Sequence, residues 1–233
     1  MKKGEIFLIP TPIHDKDEFK KELIPPIVFK QINELNFFAV ENIRTARRFI
    51  KKINPEFDID NSHFELLDKR TNNSTLQEII SQINKGKSVG VMSEAGCPGI
   101  ADPGQKLCEM GHKNNIRIKP LIGPSSIILA LMASGLNGQK FTFHGYIPID
   151  QGERIKKIKE LCKIPGSHIF IETPYRNEKL FQELIKHLKP NSKKLCIAVD
   201  ICGKNEKIIT KTVKEMKDVQ INMKKQPTIF IFE

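Results

Sequence analysis

The residues best suited to chemistry lie between Ser93 and Gly104, in the stretch SEAGCPGIADPG. Its three glycines let a backbone approach a ligand closely, and its two prolines fix the path of the chain. Glu94 and Asp102 add acceptors for hydroxyl or amino groups. An ordinary crossover loop would contain the same turn formers, so composition alone leaves both readings open. A second polar set, Glu41, Asn42, Arg44 and Thr45, falls where FFAV gives way to NIRTARRFIKKI. Here too a structural alternative stands, with Asn42 capping a helix and the arginines solvated. Ser125 and Ser126 follow a Gly-Pro turn, and one of them suffices as a helix cap.

These groups need elements to hold them. EIFLIP reads as a first strand that ends at the stiff Pro10-Thr11-Pro12, and the polar HDKDEF after it suits a surface loop or cap. Ile27, Val28, Ile32 and Leu35 have helical spacing. FFAVE, HFELLD, KSVGVM and IRIKPLI read as strands, with helices over NIRTARRFIKKI, TLQEIISQINKG and QKLCEMGHKN. Asn73-Ser74 is the expected cap of the second of these helices, and Gly86 its stop. Strand and helix alternating with short links specify a mainly parallel sheet, because parallel neighbours require crossovers. The Ser93–Gly104 loop and the Glu41–Thr45 junction then share the carboxyl edge of one sheet, where open α/β sheets bind ligands.

After Leu136-Asn137-Gly138 the pattern changes. KFTFHGYIP, SHIFIE, KLCIAVDI, KIITKT and PTIFIFE read as strands, and IDQGERIKKIKELCK and PYRNEKLFQELIKHL as helices. The expectation is an α/β chain of two domains, residues 1–138 with a mainly parallel sheet and residues 139–233 with a mixed one.

Composition narrows the function. Cys97, Cys108, Cys162, Cys196 and Cys202 are odd in number and contain no CxxC pair, which suits a reducing cytoplasm. The six histidines include no HExxH pair, so a metal site has no support. No apolar run approaches the length of a membrane helix, and the apolar part of MKKGEIFLIP is too short for a signal-peptide core. The net charge of +11 suits a polyanion such as RNA, although the basic residues are scattered and biased coding composition would give the same excess.

Taken in order, IPTPI, SEAGCPGIADPG, PLIGPSS, FHGYIP and ETPYR resemble the tetrapyrrole-methylase-fold methyltransferases, closest to the ribosomal RNA small subunit methyltransferase I branch. The resemblance runs over roughly residues 5–180. It implies a homodimer of two-domain α/β chains that binds S-adenosylmethionine in the cleft between the domains, without a GxGxxG signature. Carried over position by position, it implies cofactor contacts from Pro10, Glu94, Ala95, Gly96, Pro98, Ile100, Asp102 and Ser125. In the second domain it implies Tyr146, Thr173, Ala198, Pro227 and Thr228, with their neighbours His144, Gly145, Pro174 and Val199, around the adenosyl part. Methyl transfer from a sulfonium needs positioning more than a protein nucleophile. For a ribose 2′-hydroxyl a base would help, and Glu41, Glu94 and His144 are the candidates. Each has a structural alternative: Glu41 paired with Arg44, Glu94 on backbone amides, His144 as a satisfied strand residue.

The chain also departs from that branch. Glu94 and Cys97 stand where SDAGTPG is usual, Asn42 and Ile43 where EDTR is usual, His14 and Asp15 where TPIGN is usual, and Tyr175 where ESPHR is usual. The segment after IAVDI lacks the acidic-basic pair of the branch, and the sequence stops at Glu233. The cofactor core is thus retained and the acceptor side altered, so the resemblance implies a methyltransferase more firmly than a particular RNA position, with ribosomal RNA the preferred expectation. A small-molecule acceptor such as a tetrapyrrole, or a binding protein that has lost the reaction, are the competing expectations.

Overall fold

A computed structural model describes residues 2–13, 21–189 and 192–233. His14, Asp15 and the polar stretch after them lie outside the described residues. The chain forms two compact units, residues 1–125 and 126–233. The expected break after Gly138 thus lies further along than the observed one, and the apolar helix Ser126–Ser134 belongs with the second unit. It packs there on that unit's sheet, and its end is tied in by the Thr210 hydroxyl, which donates to the Ser134 carbonyl at 2.7 Å.

In the first unit, β1 (Ile6–Leu8), β2 (Phe37–Val40), β3 (His63–Leu66), β4 (Val89–Met92) and β5 (Ile118–Pro120) form one sheet in the order β3-β2-β4-β1-β5. Every pairing is parallel. β2 and β4 are buried throughout, which explains their unbroken apolar runs FFAV and VGVM. Helices α1 (Pro26–Asn33) and α2 (Ile43–Ile53) place Val28, Ile32, Phe49 and Ile50 in one core, together with Phe38 and Val40. Helices α3 (Asn73–Asn84) and α4 (Gln105–Lys113) give Leu76, Ile79, Ile83 and Leu107 to another, with Phe37, Ala39, Val89 and Val91. The alternation of β2 residues between these cores is the period of two expected of a strand.

The cap of α3 is Asn72, one residue before the expected pair, and its side chain accepts from the Thr75 amide at 2.9 Å. Ser74 donates to the same Asn72 oxygen. Gly86 follows the helix at φ +98°, the left-handed stop its sequence position implies.

In the second unit, α5 (Ser126–Ser134) is followed by β6 (Phe141–Tyr146), α6 (Gln151–Leu161), β7 (Ser167–Glu172), α7 (Asn177–His187), β8 (Lys194–Val199), β9 (Lys207–Thr212), α8 (Val213–Met216) and β10 (Thr228–Phe232). The sheet order is β6-β7-β10-β8-β9. Only β6 and β7 pair in parallel; the other pairs are antiparallel, as the change of pattern after Gly138 implies. Its core gathers Phe170, Phe230, Phe232, Leu180, Leu184, Ile158 and Met216.

Candidate functional site

The parallel sheet brings the carboxyl ends of β2, β4 and β1 side by side, and the polar residues of the sequence follow them there. The chain leaving β1 and the chain leaving β4 hold each other: Thr11 and Gly96 exchange two backbone hydrogen bonds, of 2.9 and 3.1 Å. The Thr11 hydroxyl donates to the Ser93 carbonyl at 3.2 Å, and the Cys97 thiol donates to the Pro124 carbonyl at 3.4 Å. Loops after β1, β4 and β5 are thereby locked together. Gly123 lies so close to Pro10 that a Cβ there would stand 2.1 Å from the proline Cβ, a distance no side chain can occupy.

Within the loop, Gly96 has φ +70° and its missing Cβ would meet Ile13 Cγ2 at 3.3 Å and the Pro124 carbonyl at 3.5 Å. Ala101 is left-handed as well, at φ +64°, a conformation that costs a residue with a side chain and persists where surrounding structure imposes it. Pro10, Gly96 and Pro98 are buried, Asp102 and Ser125 half-buried, and Glu94, Ala95 and Ile100 exposed. Seven of the eight first-domain positions named from sequence therefore lie on the loops after β1 and β4, and Ser125 ends the loop after β5.

The second polar set joins them. Glu41 continues the ladder by donating its amide to Met92, and its carboxylate accepts the Glu94 amide at 2.9 Å. Glu94 in turn accepts from the Thr45 hydroxyl at 3.1 Å. The expected Glu41–Arg44 pair does not form among the described residues; Glu41 instead binds a backbone amide, that of Glu94. Asn42 is the N-cap of α2, accepting from the Thr45 amide at 3.2 Å. Asp102 completes a group of three carboxylates. Burial pushes it up to about 6, helped by the charges of Glu41 and then Glu94, against the pull of Lys69 and a contact with the Ser93 hydroxyl. A cavity of about 230 Å³ adjoins Asp102, lined by Lys69, Thr71, Leu76, Gln105 and Lys106 among others.

The second unit gathers its own named residues. Thr228 opens β10 opposite Glu172 of β7 and Val199 of β8, so Thr173, Ala198, Pro227 and Thr228 belong to one sheet edge, with Tyr146 paired to Ile171 nearby. Ala198 and Thr228 are buried, Thr173 is half-buried, and Pro227 and Tyr146 are exposed. His144 is packed on Phe170 with ring centroids 5.1 Å apart. His168 donates Nε2–H to the Ile164 carbonyl, so its Nδ1 accepts Nε2–H of His144 at 2.9 Å. Burial, then His168 and Lys157, push His144 down to about 4.

Sequence reasoning missed Thr11 and Ser93 as holders of the edge, and Asn177 in the second unit. Asn177 is fully buried, donating to the Gln226 carbonyl and the Thr228 hydroxyl while its Oδ1 has no partner among the described residues. Thr11 had a signal, its place between two prolines at a strand end; Asn177 had none. No helix among the described residues is long and apolar enough to cross a membrane. Among them, too, no three His, Cys, Asp or Glu side chains are grouped to hold a metal ion.

The sequence profile of the tetrapyrrole (corrin/porphyrin) methylases matches residues 21–217. The chain belongs to this family. Within the tetrapyrrole methylases it is similar to ribosomal RNA small subunit methyltransferase I of Vibrio cholerae, 28% identical over 180 residues that cover 77% of this chain and 59% of the relative. The protein of that name from a Hydrogenobaculum species is 31% identical over 215 residues, covering 91% of this chain and 87% of the relative. The chain spans between about half and two thirds of the length of the first curated relatives it matches. In fold it is similar to the solved methyltransferase CobJ, at TM-score 0.64 and 15% identity, over 98% of this chain and 93% of that one. A uroporphyrin-III C-methyltransferase from Thermus thermophilus, solved with S-adenosyl homocysteine, gives TM-score 0.57 at 14% identity, over 98% and 97%. At these identities the likeness is one of fold.

Proposed function

We propose that this protein is an S-adenosylmethionine-dependent methyltransferase that acts on small-subunit ribosomal RNA, with a ribose 2′-hydroxyl as acceptor. The loop from Ser93 to Gly104 carries this reading: it is a backbone cradle at a sheet edge, closed where a Cβ on Gly96 would intrude and flanked by three carboxylates. Likeness to relatives named ribosomal RNA small subunit methyltransferase I and a net charge of +11 support RNA as the acceptor, and the ribose 2′-hydroxyl rests on the resemblance read from the sequence.

The residues present fit the cofactor. Pro10, Ala95, Gly96, Pro98, Ile100 and Ser125 offer backbone and apolar surface, while Glu94 and Asp102 accept from amino or hydroxyl groups. The edge with Tyr146, Thr173, Ala198, Pro227 and Thr228 is assigned to the adenosyl part on the resemblance above. When bound, the cofactor supplies an activated methyl group and its own leaving group. What remains for the chain is to orient the acceptor hydroxyl and take its proton. We assign that proton to the carboxylate edge of Glu41, Glu94 and Asp102. His144 is the poorer base, since burial, then His168 and Lys157, depress its basicity to about 4. A cytoplasmic homodimer belongs to the same reading, and the exposed Ile128 and Met132 of α5 offer apolar surface for a second copy.

Incubation with methyl-labelled S-adenosylmethionine and small ribosomal subunits of the source organism tests this reading. Label is expected in the RNA, at a nucleotide whose 3′ linkage resists alkali as a 2′-O-methyl ribose does. Label in a tetrapyrrole instead would replace the acceptor. Cofactor binding by calorimetry with no transfer to either would leave a binding protein.

A further inference from the structure

Helix α2 carries Arg44, Arg47, Arg48, Lys51 and Lys52 and no acidic residue. At 100° per residue these five fall within an arc of about 140°, and the buried Ala46, Phe49, Ile50 and Ile53 occupy about 100° on the opposite side. The sequence scatters the basic residues of the chain, but the fold turns this set into one ridge. Helix stability argues against it. Arg44–Arg48, Arg48–Lys52 and Arg47–Lys51 are like charges four residues apart, and Arg44 lies in the first turn, where the helix dipole opposes a cation. Arg47 is relieved by Asp60 at 3.3 Å and by the Phe64 ring. Arg44 and Arg48 are exposed and have no ion-pair or hydrogen-bond partner among the described residues. The ridge begins at Asn42, beside the Glu41 carboxylate that binds the Glu94 amide. Lys69 and Arg70, exposed on the loop after β3, extend the positive surface beyond the neighbouring strand.

We propose that the outer face of α2, led by Arg44 and Arg48, binds the phosphate backbone of the RNA acceptor and delivers it to the carboxylate edge where the helix starts. This rests on the function proposed above and adds the surface that reads the polyanion. Arginine suits the role, because its planar fork grips phosphate oxygens in pairs. Such contacts position the RNA without specifying its sequence.

The test titrates small ribosomal subunits, and their protein-free RNA, with the wild type, with R44E/R48E and with R44Q/R48Q between about 50 and 200 mM salt. K159E/K163E, on and just after α6, applies the same charge reversal at exposed positions elsewhere. The R44E/R48E pair is expected to weaken RNA binding at least tenfold, on the order of one decade, and to flatten the log-log salt dependence by about one unit for each phosphate no longer neutralised. R44Q/R48Q should flatten the slope likewise with a smaller loss of affinity, which covers the case in which the reversal does not fold. Cofactor affinity by calorimetry should stay unchanged in all variants, and the K159E/K163E pair should keep the wild-type slope. Wild-type RNA affinity and slope in both α2 variants would overturn this inference alone. A wild type that binds cofactor but neither subunits nor RNA would overturn the acceptor proposed above, and this surface with it.

Discussion

The two units treat their polar groups in opposite ways. At the carboxyl edge of the first, Glu41, Glu94 and Asp102 stand half-buried or exposed on loops held by backbone contacts. In the second, Arg154 and Glu183 form a buried double contact, and Arg154 also donates to the Pro148 and Ile149 carbonyls. Glu172 is buried against Arg176 and the Thr173 amide, and His144 is chained through His168 to Ile164. Carboxylates gathered at an edge retain capacity for a ligand. Interior groups paired with one another, as Arg154 is with Glu183 and Glu172 with Arg176, hold a fold in place.

The largest effect should come from breaking the interior set. Glu183→Ala would leave the Arg154 guanidinium buried without its carboxylate, at a cost of about 3–5 kcal/mol in urea unfolding. The double change Arg154→Met with Glu183→Leu should recover most of that, because a well-packed apolar pair avoids the desolvation penalty. A loss below about 1 kcal/mol in the single variant would place this pair with ordinary surface salt bridges and erase the contrast.

Gly96→Val applies the same logic to the edge, and its readout is binding rather than folding. A β-branched side chain resists φ +70° and would press on Ile13 and the Pro124 carbonyl. S-adenosylmethionine affinity by calorimetry should fall by at least about tenfold, the factor that corresponds to roughly 1.4 kcal/mol. An unchanged affinity in a folded variant would remove the loop from the proposed site.

Much of this contrast was legible in the sequence, because strand and helix periods are local. FFAV, KSVGVM and the helices between them follow from apolar spacing, and a parallel sheet then puts Glu41 and Glu94 at one edge. The 2.9 Å contact between Glu41 and the Glu94 amide was not legible, since it depends on β2 and β4 being neighbours, which no local pattern encodes. The same holds for His144: its sequence position fits a base or a strand residue, and only the ring of His168 across the β6–β7 pair decides its tautomer. The unit boundary was displaced for a related reason. Gly135 and Gly138 mark a change of local pattern, but α5 belongs to the sheet it covers.

The smallest expected effect is also the one that sets the two units directly against each other. Asp102 is raised from its ordinary 3.8 to about 6, so its contribution to stability is complete below 3.8 and is lost as pH rises through 6. His144 is lowered from 6.5 to about 4, so its contribution is complete above 6.5 and is lost as pH falls through 4. Between pH 4 and 6 the two oppose each other, and the wild-type melting temperature is flatter than either group alone would make it. Asp102→Asn should remove the part that falls with rising pH, and His144→Asn the part that falls with falling pH, each by on the order of 2 °C across the window. Variants that tilt the profile in the same direction would mean that one of these groups is not held in the environment described, and solvent exposure makes Asp102 the first to re-examine.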